Sequence, residues 1–281
     1  MSSSDAYALC RAITHKHGAN FSVGFRFLPT VKRRAVYAAY AFCRWADDIA
    51  DDPGTDIASR LDAWERELDS CYAQQPRHAI TIALADALQH FAIPKSAFRA
   101  LIEGCRQDMT KSRYQTFDEL LHYCDLVASS ISDISLSIFG HRTGQAPRYG
   151  RNLSTALQLT NVTRDIGDDL ERDRIYVPAD EMERFEVTES DLVQRRETEN
   201  VRQLILFQVD RAEQYFRAAE PLLEELSFDS RFPTLLMGSV YSTVLRRIRR
   251  NPFAPLHRRV ALSFPAKISV VAGRLLNPRF V

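Results

Sequence analysis

Nearly every long segment of this sequence repeats its apolar residues with the period of an α-helix. Between 32 and 52, for example, apolar side chains recur at three- and four-residue intervals and form one helical face. Glycine is scarce, at 10 of 281 residues, and no alternating pattern with hairpin turns indicates β-strands. Similar runs cover 56–73, 77–91, 95–109, 117–139, 151–171, 200–226 and 233–250. Because the connections are short and marked by Pro or Gly, we predict a single all-α domain over 1–281.

The overall charge argues against a nucleic-acid-binding protein, since 37 basic side chains stand against 36 acidic ones. The distribution is nevertheless uneven. No acidic residue follows Asp229, whereas ten Lys or Arg residues do. A basic C-terminal segment suits a phosphate ligand or an anionic membrane surface, and a solvated arginine face explains it equally well.

The cysteines and the N-terminus predict a cytoplasmic location. The five cysteines are odd in number and scattered through apolar helical patterns, which is typical of reduced core thiols. The N-terminus lacks the basic start and apolar run of a signal peptide. No stretch approaches the roughly 20 apolar residues of a spanning helix. We therefore expect at most a peripheral contact with the inner face of the cell membrane.

Two acidic clusters, far apart in the sequence, carry the main indication of function. Asp47 and Asp51 are four residues apart, and so are Asp165 and Asp169, so each pair projects from one helical face. Like charges at this spacing repel, which a bound cation would relieve. Mg²⁺ prefers such oxygen ligands and often bridges carboxylates to substrate phosphates. Two such helices facing each other would hold a diphosphate, as expected of an enzyme that ionises allylic diphosphates.

A single pair of this kind is usually a solvated helix end, and the second copy changes the interpretation. Each pair lies in an apolar helical run and follows a potential phosphate ligand, Arg44 or Asn161. Other chemistries lack their motifs. Only one Glu-x-x-His occurs, at Glu119 and His122, and a di-iron bundle needs two. There is no zinc spacing, nucleophile elbow, P-loop or dinucleotide glycine pattern, so we expect Mg²⁺, with Mn²⁺ as a substitute, and no nicotinamide cofactor.

The residues around both clusters resemble the squalene/phytoene synthase family, which joins two prenyl diphosphates head to head. Residues 37–51 resemble the first aspartate-rich signature of the family, and 158–178 resemble the second. Residues 108–120 are similar to bacterial phytoene synthases, and the resemblance continues to Tyr241 and 258–260. It thus covers nearly the whole chain. The implied fold is the all-helical isoprenoid synthase barrel with a central apolar cavity.

The resemblance also implies a set of site residues. The metal ligands would be Asp47, Asp51, Asn161, Asp165 and Asp169. Arg44 and Tyr40 would join the four aspartates in catalysis. The substrate contacts would be His17, Phe21, Phe25, Gln158, Asn161, Arg164, Arg174, Tyr176, Tyr241, Arg259 and Lys267.

Departures from the family pattern bear on the product. Tyr123-Cys124-Asp125, with Val-Ala after it and Ile-Phe before Gly140, is closer to the hopanoid-pathway enzymes that make presqualene diphosphate. We therefore favour the condensation of two farnesyl diphosphates to presqualene diphosphate, with release of diphosphate. Because 108–123 is similar to carotenoid enzymes, phytoene or dehydrosqualene synthesis is the alternative.

Two further alternatives belong to other classes. Non-catalytic family members act as assembly factors, but loss of the metal aspartates would mark them and all four are present. Terpene cyclases couple a D-D-x-x-D motif to an N-S-E type site, whereas the second cluster here is rich in aspartate. The expected partners are prenyl diphosphate substrates, other enzymes of the isoprenoid pathway and a membrane surface, and not nucleic acid.

Overall fold

The chain folds into helices throughout its described length. The computed structural model describes residues 2–17, 22–52, 54, 56–263, 265–267, 269, 270, 273, 279 and 280. For residues 22 and 23 it describes the backbone alone. Within these ranges no strand forms, and the β-type pairing consists of two isolated bridges, Arg113 with Ile175 and His141 with Leu226. The all-α prediction is confirmed.

The helices vary from single turns of four residues to one of 23 residues. A π-helical turn (Asp125–Ser129) separates α7 from α8. In chain order the helices are α1 (Ser3–His17), α2 (Ser22–Phe25), α3 (Thr30–Ala50), α4 (Ile57–Tyr72), α5 (Ala79–Leu88), α6 (Lys95–Thr110), α7 (Phe117–Cys124), α8 (Ser130–Phe139), α9 (Ala146–Arg164), α10 (Ile166–Leu170), α11 (Ala179–Arg184), α12 (Glu189–Val193), α13 (Glu199–Ala219), α14 (Leu222–Glu225), α15 (Phe228–Arg250) and α16 (Ala254–His257).

The chain divides into two compact units, each assembled from three segments. The first unit comprises Met1–Thr110, Ser129–Pro147 and Leu223–Thr234. The second unit comprises Lys111–Ala128, Arg148–Leu222 and Leu235–Val281. The expectation of one domain over 1–281 stays a prediction.

Helix α3 is the centre of the first unit and packs against α1, α4, α5 and α6. Phe42 on α3 stacks on Trp64 with ring centroids 4.7 Å apart and meets Phe98 edge-to-face at 4.9 Å. The neighbouring helices can approach closely because α3 buries small side chains at Ala35, Ala38, Ala39, Ala41 and Ala46. This packing fixes the helix that carries the first acidic cluster.

A buried polar network ties helices of the second unit together. Gln208 on α13 donates a 2.6 Å hydrogen bond to Glu181 on α11, and Arg211 donates to the other carboxylate oxygen. The Arg211 guanidinium lies 3.8 Å from the Phe117 ring centroid and 4.7 Å from that of Phe207. Because both charges are partnered, the network anchors α11, directly after the segment that follows the second acidic cluster.

All five cysteines, Cys10, Cys43, Cys71, Cys105 and Cys124, are free and buried. Burial raises the pKa of each thiol, in Cys10 and Cys124 to about 12. The reactive thiolate form is therefore suppressed. Among the described residues, no helix has the length and apolar character needed to cross a bilayer.

Candidate active site

The first acidic cluster lies in the last turn of α3. The helix ends at Ala50, and the Asp51 amide donates a 2.9 Å hydrogen bond to the Asp47 carbonyl. The two carboxylates are thus one helical turn apart, as the spacing predicts. Proline at position 53 cannot continue a helix, which is consistent with this end.

Arg44 lies one turn before Asp47 on the same helix. Its Nη2 donates a hydrogen bond to Asp48, while within the described structure its buried Nε has no hydrogen-bond partner. Tyr40 lies one turn earlier still and is partly exposed. The guanidinium therefore has a donor left over for an anion beside the first acidic cluster.

Two residues of α6 also influence Asp47. The Cys105 thiol donates to Asp47 Oδ1 at a sulfur–oxygen distance of 3.4 Å. The pKa of Asp47 is raised to about 7, chiefly by burial and in smaller part by the charges of Asp51 and Asp108, against the opposing effects of Arg44 and Cys105. No local sequence pattern points to Cys105, because it lies 58 positions from its partner.

The second acidic cluster lies where two helices meet. The sequence predicts one run over 151–171, which is wrong in one respect: α9 ends at Arg164 and α10 begins at Ile166. The helical hydrogen bonds nevertheless continue, from the Asp165 amide to the Asn161 carbonyl at 2.9 Å and from the Asp169 amide to the Asp165 carbonyl at 2.8 Å. Asp165 and Asp169 therefore keep the predicted one-turn spacing across the bend.

Two arginines hold Asp165. Arg164 donates from Nε at 2.7 Å and from Nη2, and Arg259 Nε lies 3.0 Å from Oδ1. The Arg164 guanidinium is buried and lies 6.0 Å from the ring centroid of Tyr241, which is also buried. The Arg259 side chain is 57% exposed, so Arg259 is the partner that can move when another cation or an anion enters.

Asp169 lies in a different electrostatic environment. The pKa of its carboxyl is raised to about 7, chiefly by burial and next by the charge of Asp165, while Arg172 and Arg174 oppose the shift. The Asp169 carbonyl accepts the amides of Arg172 at 3.0 Å and Arg174 at 2.9 Å. Asp169, Arg174 and Tyr176 line one small pocket whose other walls are apolar. An acidic, a basic and a phenolic residue thus line the same pocket as apolar side chains.

Gly167, between the two aspartates, allows α10 to pack against α16. A Cβ atom at this position would lie 2.7 Å from the Leu256 carbonyl oxygen and 2.9 Å from that of Pro255. Backbone atoms cannot move aside as a flexible side chain can. Glycine therefore permits the approach that brings the start of the segment after α16, including Arg259, to Asp165. The sequence shows the glycine, but it does not show that the Pro255 and Leu256 carbonyls pack against it.

Several contacts hold the loop after α10 in place. Arg113 donates to the Asp173 carbonyl at 2.6 Å and to the Asp173 carboxylate at 2.8 Å. The Ile175 amide donates to the Ser112 carbonyl at 2.9 Å. Tyr176 stacks on Tyr114 with centroids 5.6 Å apart. These contacts fix the positions of Arg174 and Tyr176 relative to Asp169.

Asn161 carries a polar atom that suits a cation. Its Nδ2 donates to Gln158 at 3.2 Å, while its Oδ1 is buried and has no hydrogen-bond partner in the part of the chain that the structure describes. A buried carbonyl oxygen without a partner is costly unless a donor or a cation joins it. No three Asp, Glu, His or Cys side chains among the described residues are close enough to hold a metal by themselves.

The remaining predicted residues lie in both units. His17 ends α1 and is exposed, and the Phe25 ring is 6.4 Å from that of Tyr37. Lys267 is partly buried, and burial lowers the pKa of its ammonium group. Phe21 lies outside the described residues. The two acidic clusters belong to different units, and the expectation that they face each other stays a prediction.

The two carboxyls with raised pKa values predict how stability depends on pH in the absence of divalent cations. Both Asp47 and Asp169 have pKa values of about 7 instead of the usual 3.8, so between these values the folded state holds protons that the unfolded state releases. Their contribution to stability therefore falls as the pH rises through this window. In thermal melts, the Tm of the wild type should fall relative to that of the double Asp47→Asn, Asp169→Asn variant as the pH rises. The Tm difference between the two proteins should therefore change with pH in favour of the variant. A Tm difference independent of pH would contradict this.

Sequence comparisons with known proteins agree on one family. The sequence profile of the squalene/phytoene synthase family matches residues 14–266. The 15-cis-phytoene synthase of Synechocystis sp. is 37% identical over 278 residues, which cover 94% of this chain and 82% of that protein.

Two solved structures have the same fold. A dehydrosqualene synthase in complex with a ligand superposes with a TM-score of 0.91 at 26% identity, over 96% of this chain and 95% of that one. The squalene synthase HpnC from Alicyclobacillus acidocaldarius superposes with a TM-score of 0.84 at 34% identity, over 89% of this chain and 95% of that one.

Proposed function

The chain belongs to the squalene/phytoene synthase family, and on that premise we propose that it joins two geranylgeranyl diphosphates head to head to form phytoene. Members of this family are prenyltransferases. The observation that carries the choice of product is the 37% identity with a 15-cis-phytoene synthase over almost the whole chain. This reverses the preference for presqualene diphosphate that the sequence motifs alone suggest.

Presqualene diphosphate synthesis from farnesyl diphosphate is the second candidate, because HpnC is 34% identical. Asp125, the residue that favours presqualene diphosphate in the sequence, distinguishes the two candidate products only weakly. Asp125 begins the π-helical turn, and its carboxylate lies 3.7 Å from the Arg151 guanidinium. This ion pair, whose side chains are both more than a third exposed, gives an acidic residue a role there that is independent of the product.

The proposed Mg²⁺ ligands are Asp47, Asp51, Asn161, Asp165 and Asp169. Their chemistry fits the ion: four carboxylates and an amide oxygen are hard ligands, and the Asn161 oxygen lacks a protein partner among the described residues. When bound, Mg²⁺ supplies Lewis acidity that stabilises negative charge on the leaving diphosphate. Among the described residues these groups do not form a closed site, so oxygen atoms of the substrate and of water would supply the remaining ligands.

Basic side chains beside each cluster bind the diphosphates. Arg44 has its Nε available near the first acidic cluster, and Arg174 and Arg259 lie beside Asp169 and Asp165. Arg259 exchanges its contact with Asp165 for the diphosphate. Positive groups held in place before the reaction stabilise the departing diphosphate without further reorganisation.

Aromatic side chains protect the allylic cation that remains when the carbon–oxygen bond breaks. In this proposal the rings of Phe25, Tyr40 and Tyr176 border the reacting chains, because aromatic rings attract cations and exclude water. The double bond of the second substrate attacks the cation, and loss of a proton closes a cyclopropane. A second ionisation and proton loss then give phytoene. Because two protons and two diphosphates leave, the proposed reaction needs no reductant.

Product analysis tests the proposal. The purified full chain is incubated with Mg²⁺ and either geranylgeranyl or farnesyl diphosphate, without nicotinamide, and lipids are extracted and identified by mass. We expect a C40 hydrocarbon from the C20 substrate and a higher kcat/KM for it in competition with the C15 substrate. Presqualene diphosphate from the C15 substrate, with no C40 product, would overturn the assignment.

Cys105 is expected to act as a positioning residue for Asp47. Replacing Cys105 by alanine removes the hydrogen bond to the carboxylate, so the concentration of Mg²⁺ needed for half-maximal activity should rise about tenfold. Cys71→Ala is the matched control, because this buried thiol donates at the same 3.4 Å distance to the Thr81 carbonyl. Equal Mg²⁺ dependence in the two variants would rule out the positioning role.

A further inference from the structure

Two exposed phenylalanines and one partly buried phenylalanine of the first unit lie at the start of α15 and before α3, and we call them the phenylalanine patch (Phe27, Phe228 and Phe232). Phe228 begins α15 and is 86% exposed. Phe232 lies one turn later and meets Phe27, itself 57% exposed, edge-to-face with centroids 4.9 Å apart. An isolated exposed apolar residue is ordinary, whereas clustered exposed aromatic rings mark an interaction surface.

Two arginines beside the patch are oriented by backbone carbonyls. Arg33 Nη1 donates to the carbonyls of Arg26 at 3.2 Å and Leu28 at 3.3 Å. Arg231 donates from Nε to the Leu226 carbonyl at 3.1 Å. A carbonyl positions a guanidinium but leaves its charge in place, so these cations remain attractive to anions.

The charge around the patch is positive overall. Segments 22–34 and 223–234, which carry the three phenylalanines, contain five basic and three acidic residues. Among the acidic ones, Asp229 is next to Phe228 and lies 2.7 Å from the Lys32 ammonium group. The carboxylate closest in sequence to the patch is therefore neutralised.

We propose that the phenylalanine patch docks this protein on an anionic membrane surface. Exposed apolar rings such as those of phenylalanine bury themselves at the boundary between lipid headgroups and acyl chains, and basic side chains next to them bind anionic lipids. A lone ring or a lone cation would bind weakly, and the patch combines both. This goes beyond the proposed function, since neither diphosphate binding nor the condensation needs exposed phenylalanines.

Vesicle sedimentation of the full chain tests the docking surface. The probe is a phosphatidylcholine vesicle containing about one third phosphatidylglycerol, at low salt and without substrate. We expect Phe228→Ser to weaken binding at least about tenfold, because the ring no longer leaves water. Val193→Ser is the matched control: Val193 is 61% exposed on α12 in the second unit, and binding should be unchanged. The high exposure of both side chains keeps the fold intact.

A charge variant and a measurement of oligomeric state by sedimentation velocity complete the test. Arg26→Glu should weaken binding about fivefold or more, and vesicles without phosphatidylglycerol should bind less well. A wild type that stays in the supernatant, or equal binding by the wild type and Phe228→Ser, would overturn the proposal. So would sedimentation velocity showing that Phe228→Ser splits a dimer while vesicle binding persists, because the patch would then join two copies of the chain.

Discussion

Replacing Asp169 by asparagine should abolish turnover and, above pH 7, leave the protein as stable as the wild type or more stable. The pKa of the carboxyl is about 7 because it is buried and near Asp165, so its ionised form is held at a cost. Asparagine keeps the shape and removes the charge. Since the proposed role of Asp169 requires a negative oxygen for Mg²⁺, we expect a loss in kcat of about a thousandfold or more. Steady-state assays and thermal melts on the same preparations measure both effects.

Asp47→Asn should behave in the same way, since the pKa of Asp47 is also about 7. The matched control is Asp52→Asn. Asp52 accepts a 2.6 Å hydrogen bond from Arg60, and this bond holds the pKa of its carboxyl below the usual value. The control should keep full activity and gain no stability. Activity in Asp169→Asn close to that of the wild type would reject the metal assignment.

Gly167→Ala should impair the enzyme although it adds one methyl group. The new Cβ would lie 2.7 Å from the Leu256 carbonyl oxygen, so α10 must move away from α16. Overpacking of this kind costs about 1–3 kcal/mol of stability, a shift of several degrees in Tm. The movement also displaces Asp165 and Asp169, and misplacing reactive groups by about 1 Å can cost about a hundredfold in rate.

Gly144→Ala is the control for the glycine variant. A Cβ atom at Gly144 meets no atom within 4 Å, so Tm and kcat should remain those of the wild type. Thermal melts combined with kcat and the Mg²⁺ dependence separate a loss of stability from a displaced site. Wild-type rates in Gly167→Ala would show that the close approach of α10 and α16 is not needed for catalysis.

Helical periodicity was sufficient to predict the fold class, and its errors have physical causes. The run 200–226 is divided between α13 and α14, and Pro221, which lacks the amide hydrogen that a continuous helix uses there, lies at the break. The run 117–139 contains the π-helical turn (Asp125–Ser129), which adds a residue to a helical turn without a marked change in apolar pattern. Periodicity thus detects a helical segment better than an interruption within it.

The candidate site was predictable where its geometry is local. The pairs of Asp residues four apart needed only the helical period. Contacts between distant segments were not predictable, because they depend on tertiary packing. Examples are the hydrogen bond from Cys105 to Asp47, the ion pair of Arg113 with Asp173, and the close approach of the Leu256 carbonyl to Gly167. A single sequence contains no direct record of such pairs.

The burial of every native thiol makes the wild-type chain suitable for selective labelling. Cysteine-reactive probes need a thiolate, which burial suppresses at all five native positions. A cysteine introduced at exposed Ser59 in the first unit, with another at exposed Ser190 in the second, would therefore react in preference to the native ones. Paired spin labels at these two sites would report the distance distribution between the units, with and without inorganic diphosphate and Mg²⁺, in a protein that retains all its own cysteines.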